Sequence, residues 1–179
     1  MRINSGPIEE LADLLEGSKA TPIIVPSRLA PSAIYDVDYR AAVIALVFEK
    51  FAKSIGPLSL RRISAAKLKL LQFITLRPWL ITALREWSEG SARGSLELTH
   101  SVRIRRGFLS DTAYEDVIDL LVGFGILARQ GSHLATGSNA ARLTETAEII
   151  REEGLFESER TTVSMLADIK LTNDMLEGW

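Results

Sequence analysis

Cysteine is missing from the 179 residues, and histidine occurs twice, at His100 and His133. Without cysteine there is no disulfide, no thiolate metal site and no cysteine nucleophile. Two imidazoles fall short of the four Cys/His ligands that a structural zinc site usually takes. Long hydrophobic runs are scarce too. The longest unbroken apolar stretch, Ala41–Phe48, has eight residues, whereas a membrane-crossing helix needs about 20. The amino terminus, MRINSGPIEELADLL, turns acidic where a secretory signal would be apolar. These shortages predict a soluble, cytoplasmic protein that does not contact a membrane.

Motifs of chemistry are missing in the same way. No GxxxxGKS or GxxxxGKT string exists to cradle a phosphate. Gly123-Phe124-Gly125 reads as a helix stop, because a third glycine and a following helix are lacking. There is no HExxH, and no Ser–His–Asp set can be assembled around two unrelated histidines. Adjacent carboxylates occur at Glu9-Glu10, Asp36/Asp38, Glu115-Asp116 and Glu152-Glu153. Each fits a solvated helix face or a helix start, where the macrodipole favours negative charge. The expectation is a protein that is not an enzyme and carries no cofactor and no metal.

What is present is ordinary in amount and uneven in placement. Apolar residues make up 46% and charged residues 25%, with a net charge of −2, enough for one compact body with its own core. Residues 1–57 carry six Lys/Arg against seven Asp/Glu. Residues 58–108 carry ten Lys/Arg against three Glu, a surplus of +7. Residues 109–179 carry five Lys/Arg against thirteen Asp/Glu, a deficit of −8. Such blocks either build a basic face for phosphates or an acidic partner, or offset each other inside the fold.

Periodicity divides the chain into three stretches. Residues 1–37 predict a short helix over Pro7–Glu16 and then an extended connector broken by Pro22, Pro26 and Pro31. Residues 38–143 predict the core. A helix over Asp38–Ile55, capped by Asp38, is apolar on more than one side and therefore central. A helix over Leu58–Leu76 follows, then a Pro-started helix over Pro78–Glu89 that places Trp79 and Trp87 on one buried face. Glu97–Ile104 fits strand or helix equally. Asp111–Phe124 is the clearest amphipathic helix, and Ile126–Thr136 with its Gly131-Ser132 turn reads as a β-hairpin. Residues 144–179 predict an acidic helical extension, with helices over Ser138–Glu153 and Ser158–Leu176. The fold class expected is mainly α: a winged-helix-like body with a small β-hairpin wing and flanking helical extensions.

The string DVIDLLVGFGILARQGSHLAT (116–136) looks like the last helix and wing of winged-helix domains. Over residues 34–143 the order is wider: the apolar YRAAVIALVFEKFAK, the LSL entry to a helix, the Pro-started helix, then HSVRIRRGFLSDTAYEDVIDLLVGFGIL. That order resembles the small middle components of bacterial three-component ABC-type systems, similar to the small subunit of Lamassu-type anti-phage complexes. The resemblance implies a non-enzymatic accessory subunit beside an SMC-like or Rad50-like ATPase and an effector subunit such as a nuclease, with double-stranded DNA as a further partner. It carries no fixed motif, so it assigns no residue.

The residues themselves offer two kinds of contact. Arg61, Arg62, Lys67, Lys69, Arg103, Arg105 and Arg106 are the basic candidates for binding DNA or an acidic partner, since guanidinium pairs bidentately with phosphate and carboxylate. The same residues could instead be neutralised within the fold. Ile23, Ile24, Val25 and the terminal Trp179 are apolar candidates for docking on a partner. A winged-helix DNA-binding transcriptional regulator is the alternative reading.

Overall fold

The structure is a computed structural model describing residues 36–56, 60–91, 102–172 and 175–176. Residues 1–35 of the connector and first helix expected over 1–37, with Ile23, Ile24 and Val25, lie outside the described residues, as does Trp179.

Helix α1, Val37–Phe51, begins where the Asp36 carboxylate accepts the Tyr39 backbone N–H at 2.9 Å. The cap is thus Asp36, while Asp38 lies in the first turn, where its charge still favours the dipole. Every residue from Ala42 to Phe48 is buried, as expected of a central helix.

The chain then departs from the helical expectation. Lys53–Ile55 is strand β1 and Leu60–Ser64 is strand β2, paired antiparallel around the Gly56 turn. Helix α2 is Ala65–Thr75, shorter than the Leu58–Leu76 expected, with Ser64 accepting the Lys67 N–H as its cap. A 3-10 turn over Pro78–Leu80 leads into helix α3, Ile81–Ser88. The 3-10 turn advances three residues per turn, so the two tryptophans leave their common face. Trp79 is 63% exposed, against expectation, while Trp87 packs against the core.

Helix α4, Val102–Leu109, settles part of the ambiguous 97–104 stretch as helical, the rest lying outside the described residues. Helix α5, Thr112–Gly123, has the expected Asp111 cap and buries Tyr114, Val117, Ile118 and Leu121. Strands β3, Leu127–Gln130, and β4, His133–Thr136, form the expected hairpin across Gly131. Helices α6, Ala141–Glu152, and α7, Glu157–Ala167, follow.

The wing is not a free hairpin. Strand β2 pairs antiparallel with β4, giving a four-stranded sheet in the order β1-β2-β4-β3. Ile63 and Leu134 stand opposite each other in that pairing and are both buried. The result is a mainly α fold with a small antiparallel sheet and a winged-helix-like order of helix, strand, helices and wing. Its single core joins Val43, Val47 and Phe48 of α1 to Leu68 and Leu71 of α2 and Ile118 of α5. Ile150 of α6 and Leu166 of α7 lie in that same cluster.

Candidate functional site

The basic side chains divide by whether a carboxylate answers them. Arg61 points from β2 toward the end of α1 and pairs with the Glu49 carboxylate and backbone carbonyl. It also reaches the Ala52 carbonyl at 3.5 Å. Arg61 therefore caps the negative end of α1. Lys69 on α2 bonds Glu115 of α5 at 3.1 Å, with the Phe108 and Tyr114 rings 5.4 and 5.5 Å from its ammonium. Both were candidates for an external anion, and both are engaged inside the fold.

Arg62 differs. It alternates with Ile63, so it faces away from the core and is exposed. Lys67, in the first turn of α2, lies 5.7 Å from the centre of the Phe51 ring. Burial, and then the nearby Lys53 cation, lower its pKa. Arg105 and Arg106 are exposed on α4, and the side chain of Arg103 lies outside the described residues. Lys53, directly opposite Arg62 in the β1–β2 pairing, is a cation that sequence reasoning missed because it was placed inside a helix.

A second surface lies on α5, the helix that precedes the wing. Its exposed positions are Thr112, Glu115, Asp116, Asp119, Leu120 and Gly123. Asp119 pairs with Arg129 of β3 at 2.6 Å, and Glu115 with Lys69. Among the described residues Asp116 has no ion pair. Leu120 and Phe124 are exposed beside these acids, Phe124 to 63%. Asp116, Asp119, Leu120, Gly123 and Phe124 line one shallow depression. The sequence pattern held a signal for it: Leu120 and Phe124 are four apart and lie off the stripe of Val117, Ile118 and Leu121.

A cleft of about 350 Å³ lies among Phe48, Glu49, Arg61, Thr136, Leu143 and Thr144. The Arg61–Glu49 pair occupies its polar side, so its charges are already matched. Deeper in, Arg40 and Asp111 form a buried ion pair at 2.9 Å, with side-chain exposures of 1% and 5%. The Tyr39 hydroxyl donates to Glu159 at 2.8 Å. Among the described residues no group of three or more His, Cys, Asp or Glu could hold a metal ion. None of the described helices is long and apolar enough to cross a membrane. No protein-family model, curated protein or solved structure matches the chain.

Proposed function

We propose that this chain is a non-catalytic accessory subunit that works by binding other proteins, beside an SMC-like or Rad50-like ATPase and an effector in an anti-phage complex, in the cytoplasm. The observation that supports protein binding is the surface of α5. In helix-turn-helix DNA readers the helix at this position enters the major groove and meets phosphates and base edges. Here that helix exposes Glu115, Asp116, Asp119, Leu120 and no Arg, Lys, Asn or Gln. Carboxylates repel the phosphate backbone, and the exposed Leu120 and Phe124 suit an apolar contact rimmed by charge. The choice of ATPase and effector rests on the resemblance over 34–143 alone.

The test is co-purification from the native gene cluster. The tagged chain should bring down an SMC-like ATPase, and Leu120→Ser with Phe124→Ser should release it. Failure to recover any such ATPase sinks the assignment. Undiminished recovery by the double variant sinks the α5 surface.

Exposed Arg62, Arg105 and Arg106 favour a second reading, the DNA-binding transcriptional regulator. That reading requires one duplex sequence to be bound well above others at equal salt.

A further inference from the structure

Lys53 and Arg62 stand directly opposite each other in the β1–β2 pairing. Opposed strand residues share a face, so both side chains project from the side of the sheet away from Ile63 and the core. Like charges in directly opposed positions destabilise a sheet. A third cation, Lys67, is close enough for Lys53 to lower its pKa, and it is half-buried against Phe51. Arg40, Arg61, Lys69 and Arg129 each meet a carboxylate in this fold. Among the described residues no ion pair involves Lys53, Arg62 or Lys67.

By register that face continues from Arg62 across to Ala135, which is buried, and Ala128, and along the strands through the paired Ser64 and His133 to Gln130 opposite His133. None of these strand positions is acidic, and the Ser64, His133 and Gln130 side chains can donate hydrogen bonds. The backbone N–H of Ala65 donates to the Ser132 carbonyl at 2.9 Å, which ties the start of α2, and so Lys67, to the wing turn. The apolar Ile55 and Leu60 lie at the other end of the hairpin, opposite each other beside the Gly56 turn. Lys53 and Arg62 stand between that apolar pair and the row of Ser64, His133 and Gln130.

We infer that the outer face of the β1–β2 hairpin, with Lys53, Arg62 and Lys67 as its cations, binds the phosphate backbone of duplex nucleic acid without reading its sequence. The repulsion between the three cations is retained because phosphate relieves it on binding. This site is opposite in charge to the α5 surface and does not depend on the ATPase assignment. The duplex would be held by the sheet and wing, not by the helix before the wing.

The experiment uses the full chain and a labelled random-sequence DNA duplex, titrated across a salt series. Wild type should bind at low salt, with log K falling against log salt by roughly 0.9 for each phosphate neutralised, so a slope of about −2 to −3 for three cations. Lys53→Ala with Arg62→Ala should weaken binding about tenfold or more and reduce the slope by about 2. Arg142→Ala with Lys170→Ala removes the same charge from exposed positions in the acidic third and should leave affinity and slope near wild type. Lys53→Glu should abolish binding while keeping Tm at or above the wild-type value, because it puts opposite charges across the strands. That result separates the site from a folding defect. The inference is overturned if wild type does not bind duplex DNA at low salt, or if the Lys53/Arg62 variant binds like wild type. It is also overturned if the Arg142/Lys170 control loses as much affinity, or if poly-glutamate binds wild type at least as tightly as the duplex does.

Discussion

At the scale of single residues, the interior is held by polar groups whose partners are far along the chain. Arg40 and Asp111 are 71 positions apart, and Asp111 also accepts the Tyr114 N–H at 3.3 Å to cap α5. One carboxylate therefore starts a helix and neutralises a buried guanidinium. Arg40→Met leaves that carboxylate buried without its cation, and denaturant unfolding should show a loss of about 3–5 kcal/mol. Adding Asp111→Asn, which keeps a capping oxygen, should recover part of it. Tyr39 and Glu159 are 120 positions apart. Burial, and next the hydrogen bond to Glu159, raise the Tyr39 pKa above the usual tyrosine range. A phenol that keeps its proton more tightly when folded stabilises the fold fully below its unfolded pKa of about 10. That contribution is lost as pH rises from there toward the folded pKa. Tm should accordingly hold up to about pH 10 and then fall. Tyr39→Phe should flatten the alkaline fall and cost about 1–3 kcal/mol at neutral pH, since Glu159 loses a buried donor. The sequence shows Arg40 just before the apolar run Ala41–Phe48, but nothing local to it indicates Asp111.

At the scale of elements, local signals succeeded where one segment carried the whole pattern. Helix α5 shows this, with a cap, an apolar stripe and a glycine stop inside a single stretch, and Gly125 at φ +68 closing it. Leu121→Ala on its buried face should destabilise by about 2–5 kcal/mol, as measured by urea unfolding. Strands β1 and β2 were illegible for a physical reason. Ile63 is in phase with the helical apolar set of α2, and what makes Leu60–Ser64 a strand is its pairing with β4. The Arg61 N–H even bonds the Thr136 hydroxyl, 75 residues away. The foot of the wing is fixed by another distant contact. A Cβ on Gly137 would lie 2.2 Å from the Gly125 carbonyl oxygen, closer than any side chain tolerates. Gly137→Ala should therefore cost about 1–3 kcal/mol or more, visible as a lowered Tm. The glycines at 123, 125 and 131 read as helix-stop and turn signals, whereas the need for Gly137 appears only once the two backbones meet.

At the scale of the molecule, the charge blocks along the chain are partly cancelled by folding and partly displayed. Arg61 of the basic third is taken by Glu49 and Lys69 by Glu115. Exposed charge remains, among other places, as carboxylates on α5 and cations on the outer sheet face. The α5 surface contributes little to the core, so Leu120→Ser with Phe124→Ser should shift stability by no more than about 0.5 kcal/mol. A larger shift in thermal unfolding would place these side chains in the core and remove the basis for a docking role. Of the seven basic candidates, Arg61 and Lys69 meet carboxylates within the fold, while Arg62, Arg105 and Arg106 are exposed. A charge run does not reveal which of its members will find a carboxylate.

The sequence by itself determined the mainly α class, the central apolar helix, the capped helix before the wing and the hairpin turn. Each of those depends on periodicity or on a turn residue within one segment. Only the tertiary structure decided that Lys53–Ile55 and Leu60–Ser64 are paired strands joined to the wing, that Trp79 faces outward, and that Lys53 rather than Arg61 or Lys69 stands opposite Arg62. Strand pairing and ion pairing are contacts between distant segments, so their energies are settled where the segments meet and leave no mark in the spacing of either one.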